Sequence, residues 1–435
     1  MFNMLLRPLR SKTGRPAARD LAPSRAGISP APSRQAARWR AVIVTAGGAT
    51  ALSLIGWLLQ LRASDVATGP LKTDKSLSYQ NERMASIPWS IHIAKIDRSD
   101  SSLEIHATLA KGTVLGLSTL SEQAVSLPPS LGTPLAGVNG DMYQRENSAY
   151  PGDPRGLQIV EGELVSAPAS SAAFWIDAEG NPHATNVQSR FKVTWPEGQS
   201  FAFGLNEDRH GGSMVLFTPT LGRATRTRGG KEFILERNEA GPWLPLRVGE
   251  TYLGKVRDVK DSGNTRLEAG LMVLSVGDQL AAKLPPTSPG TILKISTATW
   301  PALNGAKLAI GGGSVVTRGG TMLAPEKPVA GRFVNDYTFR SMFERHPRSA
   351  VGWNKTHFYL VEVDGRQRGL SVGMTLEELG QYMAKLGCEE AMSLDGGGSS
   401  TFWYHGRVMN TPCDGTERPV ANGLVVVRKG KSAAP

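Results

Sequence analysis

Residues 357–404 constrain the fold more than any other stretch of this chain. HFYLVEV (357–363) is apolar, β-branched and aromatic, and it ends in Asp364-Gly365-Arg366. Thr375 and Glu378 then stand at the T-x-x-E spacing of a capping box. Leu376, Leu379, Tyr382, Met383 and Leu386 recur at helical spacing, and Gly387 is placed to stop the helix. AMSL (391–394) reads as a second strand and runs into Asp395-Gly396-Gly397-Gly398. Strand, helix and strand at these lengths predict a crossover unit with parallel strands. Asp364 and Asp395 should therefore emerge at one edge of the sheet, the edge at which open α/β sheets hold ligands.

The text before this unit is a series of short β-like runs, among them 90–97, 103–110, 135–143, 201–205, 213–219, 232–236 and 271–277, separated by Gly, Pro, Asp and Ser. The expected fold class is α+β, or mixed α/β: a strand-rich mixed sheet with a βαβ unit near the C-terminus, preceded by one transmembrane helix. No repeat of solenoid period is present. Two passages do resemble one another, LAIGGGSVV (308–316) and MSLDGGGSSTFW (392–403), each a strand running into GGGS and out to another strand.

The transmembrane helix is expected at residues 41–61, 21 residues without a charge, long enough at about 1.5 Å per residue to span a hydrocarbon core of about 30 Å. Residues 1–40 carry nine Lys and Arg against one Asp, a net of +8 out of the +11 of the whole chain. That bias predicts a single pass with the N-terminus inside and everything after about residue 62 outside, in the periplasm or extracellular space. A cleaved signal with secretion is the alternative, but the residues after the apolar run suit a cleavage site poorly. The predicted organisation is a basic disordered cytoplasmic tail (1–40), a transmembrane anchor (41–61) in the cell's inner membrane, a linker (62–86) and a catalytic domain (87–430). Because the basic excess sits in the tail, the folded part carries no signature of nucleic-acid binding. The two cysteines, Cys388 and Cys413, either bridge or remain free thiols.

Several residues could carry chemistry. Gly396, Gly397 and Gly398 followed by Ser399 and Ser400 form either a tight turn or a backbone nest for an anion; the Walker spacing and its lysine are missing. Asn139 and Asp141 in GVNGDMY, Arg348, Arg366, Asn410, Glu417 and Arg418 are the other concentrated polar positions, and a buried Asp–Arg pair is the bland alternative for each arginine. His210, His346, His357 and His405 follow no HExxH-like pattern, so no metal site is predicted. No cofactor is predicted, and a divalent cation finds no support in the sequence. GxSxG is absent and neither cysteine has a visible His partner, which argues against serine or thiol hydrolase chemistry.

In order along the chain, GVNGDMY (137–143), LAIGGGSVVTRGG (308–320), HPRSAVGW (346–353), VDGR (363–366), LDGGGSS (394–400) and MNTPCDGTERPVANGLVV (409–426) resemble the phosphodiester glycosidase family over roughly 90–428. The resemblance implies a hydrolase that removes a sugar, N-acetylglucosamine for example, from a sugar-1-phosphodiester and leaves a phosphomonoester. It points to Asn139, Asp141, Arg348, Asp364, Arg366, Asp395, the glycines 396–398, Asn410 and Arg418. On this reading Asp395, Asp364 and Asp141 are the catalytic carboxylates. Asn139, Arg348, Arg366, Gly396, Gly397, Gly398, Ser399, Asn410 and Arg418 bind substrate or phosphate, and the partner is a glycosyl phosphodiester or phosphate-containing glycan of the envelope or extracellular space. Met142-Tyr143 and Ser349 depart from the family's usual residues, a change of pocket wall that bears on the sugar's identity more than on the reaction. A phosphodiesterase cutting the P–O bond and a non-catalytic polysaccharide-binding envelope protein are the competing readings.

Overall fold

The computed structural model describes residues 75–239, 241–325 and 341–430; the basic tail and the apolar run 41–61 lie outside the described residues. Among the described residues no helix is long and apolar enough to cross a membrane.

The element that organises the site is a seven-stranded sheet. Its spatial order is Leu77–Met84, Trp89–Asp97, His357–Val363, Arg348–Trp353, Glu390–Ser393, Val315–Arg318 and Thr321–Met322, with every neighbouring pair antiparallel. The expected crossover is present. His357–Val363 and Glu390–Ser393 run in the same direction, and the helix Leu376–Lys385 connects them. They do not pair, because Arg348–Trp353 lies between them and hydrogen-bonds to both. The first strand, Leu77–Met84, falls inside the stretch 62–86 expected to be a linker, so the sheet begins earlier than read. Its alternating burial, with Leu77 and Tyr79 inward, is the period of a half-covered edge strand, which the charged Glu82 and Arg83 disguise in the sequence.

The helix forms for the reasons its sequence advertises. The Thr375 hydroxyl accepts the Glu378 N–H, and the Glu378 carboxylate accepts the Thr375 N–H. Gly387, at φ +92°, ends it in the left-handed conformation that glycine adopts at least cost. Leu376, Leu379, Tyr382 and Met383 are buried against one face of the sheet, with Ile91, Ile93, Ala350 and Val361. The opposite face, with Leu77, Ala94, Ile96, Val351 and Leu360, packs on a five-stranded sheet that contains Leu103–Ala107, Thr133–Asn139, Phe402–Tyr404, Arg407–Val408 and Gly423–Arg428. A second core joins an eight-stranded and a six-stranded sheet built mostly from residues 158–311. Cys388 is buried under the helix and Cys413 is half-buried; both are free thiols.

Candidate functional site

The strand interposed in the crossover makes the site. Because Arg348–Trp353 runs against its neighbours, its N-terminus lies at the same edge as their C-termini, so His346, Pro347 and Arg348 meet Asp364-Gly365-Arg366 on one side and Asp395-Gly396-Gly397 on the other. The approach is close. The Gly397 N–H donates to the Pro347 carbonyl at 2.9 Å, and a side chain at Gly365 or Gly396 would collide with Pro347. The other walls come from the segment that follows Thr133–Asn139, which brings Met142, Tyr143, Arg145 and Arg155, and from Gly313 and Ser314. The two similar glycine passages thus converge: Gly313 donates to the Ser393 carbonyl and the Ser314 N–H to the Ser393 hydroxyl, just before Asp395.

The result is a cavity of about 280 Å³, at the low end for small-molecule sites, lined among the described residues by Arg145, Arg155, Arg348, Arg366 and Arg418 with His346 around one carboxylate, Asp395. Such a surplus of guanidinium favours an anionic ligand. The arginines are not equivalent. Arg348 donates from Nε to the Met374 carbonyl at 2.8 Å and from Nη2 to the carbonyls of Ser341 and Glu344, so much of its donor capacity holds the wall together. Arg418 is paired with Asp414 at 2.5 Å. Arg366, held at φ +59°, lies within 3.2 Å of His346 Nδ1. The Arg155 guanidinium makes no hydrogen bond among the described residues.

Asp395 is held by its backbone: its N–H donates to the Gly140 carbonyl, and its carbonyl accepts from the Asn139 amide at 2.8 Å. Burial raises its carboxyl pKa, while hydrogen bonds from Ser399 and Gly396 and the charges of Arg418 and Arg155 oppose the rise. Asp141 lies behind it, 2% exposed, with Oδ2 accepting the Gly156 N–H at 2.7 Å. Burial, with the Asp395 charge adding to it, pushes Asp141 up to about 7. The two carboxyls are electrostatically coupled, each raising the cost of ionising the other. His346 is shifted down by burial and by Arg348 and Arg366, which favours a neutral imidazole.

The structure sorts the expected site residues. Asp395, Arg348, Arg366, Arg418, Gly396, Gly397, Gly398 and Ser399 line the cavity. Asn139 does not: it is fully buried, and it uses one amide N–H on Asp395 and its carbonyl oxygen on Ser349 and Thr401, so it holds the Asp395 backbone rather than facing the cavity. Asn410 likewise bonds the backbones of Phe402 and Ser400, and its side chain lies against Glu362. Asp364 is off the cavity wall, 1% exposed, with Oδ1 accepting the Thr411 N–H and Oδ2 3.1 Å from His92 Nε2. Asp141 touches the cavity only through its neighbours. The glycine run is a turn rather than a nest, since the N–H groups of Gly396, Gly397, Ser399 and Ser400 are all taken up internally. Its glycines serve by being small: a side chain at Gly398 would occupy the space of the Arg418 guanidinium. Sequence reading missed Arg155 and Arg145, and it weighed His346 only as a metal ligand and Tyr143 only as a departure from the family's usual residues. The signal available was the turn sequence Gly152-Asp153-Pro154-Arg155-Gly156, which lies some 240 residues before Asp395, so no spacing rule connects them.

Residues 253–427, less than half of the chain, match the family model for phosphodiester glycosidases, in agreement with the resemblance read from the motifs that fall in that region. Over 90 residues the chain is 34% identical to the SPbeta prophage-derived uncharacterized protein YomE of Bacillus subtilis, a match that takes in 20% of this chain and 14% of that protein. A Synechocystis protein of solved structure superposes with a TM-score of 0.64 at 17% identity, covering 83% of this chain and 64% of the other. A Burkholderia pseudomallei protein does so with a TM-score of 0.60 at 23% identity, covering 78% of this chain and 74% of the other. These structural likenesses show a shared fold.

Proposed function

We propose that this chain is an extracytoplasmic hydrolase that cleaves the glycosyl C–O bond of a sugar-1-phosphodiester, releasing free sugar and a phosphomonoester. The observation that carries the reading is the cavity in which, among the described residues, five arginines surround one carboxylate, Asp395. The family match over 253–427 supports it. The departing phosphate is already a stable anion, so bond cleavage depends less on a strong general acid than in ordinary glycosides. What it needs is a carboxylate for the water and donors for the phosphate. Asp395 takes a proton from the attacking water, whose oxygen bonds the anomeric carbon. The C–O bond breaks with its electron pair moving to the phosphate oxygen, and Arg155, Arg366 and Arg418 hold the charge. Arg348, Asn139 and Asn410 position these groups without touching substrate.

Residues 41–61 would anchor the enzyme with its N-terminus inside, and a phosphate-containing glycan of the envelope or extracellular space would be the substrate. The test is the full chain in detergent micelles with an N-acetylglucosamine-1-phosphodiester, products identified by mass spectrometry. Free sugar with phosphomonoester, lost in Asp395→Asn, is the expected result. Sugar-1-phosphate would mean that the P–O bond is cut, and binding without turnover on a panel of glycosyl phosphodiesters would mean a binding protein.

A further inference from the structure

The layer between the seven-stranded and five-stranded sheets should be apolar, and one cluster in it is not. Along His357–Val363, Phe358 and Leu360 face this layer, so by strand alternation residues 362 and 364 face it too; along Trp89–Asp97 the inward set is Ser90, His92, Ala94 and Ile96. His92 and Glu362 are direct cross-strand partners. One ligand-capable atom from each of His92, Glu362 and Asp364 falls within 4.8 Å of the others, all three residues buried. Glu362 is 0% exposed, and both of its carboxylate oxygens lack a hydrogen-bond partner.

The nearest donor is the Asn410 amide, whose contact falls outside hydrogen-bond geometry, and among the described residues no Lys or Arg pairs with Glu362, so this carboxylate is among the costliest groups to bury. Protonation would remove the Glu362 charge and give it one O–H to turn toward Asp364, whereas a cation neutralises both carboxylates and uses lone pairs of all three residues at once. The geometry suits an ion of the zinc class. Bonds of about 2.0–2.1 Å in a tetrahedron place ligand atoms about 3.3 Å apart; His92 Nε2 and Asp364 Oδ2 are already 3.1 Å apart, so mainly Glu362 has to swing inward. On the far side of the ring, His92 Nδ1 is 2.8 Å from the Tyr79 hydroxyl, a partner able to accept its proton and leave the Nε2 lone pair for the ion. The Thr411 N–H fixes the other Asp364 oxygen.

We propose that His92, Glu362 and Asp364 form a buried structural site for a divalent transition ion such as Zn²⁺, distinct from the arginine-lined cavity and taken up as the chain folds. The ligands come from strands 272 residues apart in sequence, which is why no motif announces them. The site is independent of the glycosidase reading.

The experiment takes untagged full-length protein, unfolds it in guanidinium with chelator, refolds it with Zn²⁺, Mn²⁺ or no metal, and measures metal content after desalting together with the melting temperature. The expected result is one ion per chain and a melting temperature several degrees above the metal-free protein. Glu362→Gln should lose the ion and melt no lower than metal-free wild type, since it replaces an unpartnered acid by a neutral isostere. Refolded wild type that holds neither ion and melts alike in all three preparations overturns the proposal; so does Glu362→Gln holding the ion as wild type does, which would place it elsewhere.

Discussion

Two aspartates close parallel strands of one sheet, each followed by glycine, and the molecule treats them in opposite ways. Asp395 is the carboxylate on the wall of an open, guanidinium-rich cavity; Asp364 is sealed between two sheets against His92 and Glu362. Only the width of the Arg348–Trp353 strand separates them. What differs is what lies above each strand end. Over Asp395 the glycines 396–398 leave room for the guanidinium groups of Arg366 and Arg418, whereas over Asp364 the strand Leu77–Met84 and residues 402–411 close the layer with Tyr79, Phe402 and Thr411. The same local signature serves either chemistry or architecture, and the neighbouring elements decide which.

The sharpest way to break this contrast is to remove each charge in turn. Asp395→Asn should lower kcat by about a thousandfold or more while shifting the melting temperature little, as expected for a group that contacts the reacting atoms. Asp364→Asn should do the reverse: a melting temperature lower by several degrees, with activity per folded molecule within about threefold of wild type. Steady-state kinetics on protein whose folded fraction is measured by near-ultraviolet circular dichroism decides it. Equal kinetic losses in both variants would return Asp364 to the catalytic group.

Asp141 sharpens the comparison through pH, because it is buried like Asp364 yet coupled to Asp395. Its carboxyl is held up at about 7 against an ordinary value of 3.8, so between those two values the unfolded chain has released a proton that the folded chain still binds. Stability must then fall as pH rises through that window, by about 1.4 kcal/mol per unit for a single group, and level off above about 7. Asp141→Asn removes this penalty. Its stability relative to wild type should therefore climb from pH 4 to pH 7 and stay flat beyond, as read by urea denaturation at each pH. A pH-independent difference would mean that Asp141 is ionised throughout.

Legibility in the sequence followed the range of the interactions. The capping box, the apolar helix face, the parallel direction of the two strands and the placing of Asp364 and Asp395 at one edge are consequences of local spacing, and all were readable. The strand between them was not, since nothing local says that 348–353 inserts into a crossover that begins only at 357. Without it, Asp364 and Asp395 look equivalent, Arg348 looks like a free phosphate clamp, and Gly396–Gly398 look like a nest. Leu77–Met84 was hidden for a related reason: an edge strand with one solvated face reads as a polar tether. Arg155 and the His92–Glu362 pair were invisible because their partners lie hundreds of residues away, on strands whose register only the folded sheet sets.

The smallest expected effect separates the arginines themselves. Arg155 makes no hydrogen bond among the described residues and faces the cavity, whereas Arg348 is committed to three carbonyls. Lysine keeps the charge of either residue but loses the planar fork. Arg155→Lys should therefore cost about tenfold in kcat/KM, mostly through KM, and leave the melting temperature alone, because only bidentate contact with phosphate is lost. Arg348→Lys should lower the melting temperature first, since buried carbonyls of Met374, Ser341 and Glu344 lose donors, and should reduce kcat/KM only as far as the wall that carries His346 shifts. The two substitutions are chemically identical, so a difference in which quantity moves isolates what each guanidinium touches. If Arg348→Lys changes KM alone and melts like wild type, the carbonyl contacts are dispensable and Arg348 belongs with the phosphate-binding arginines.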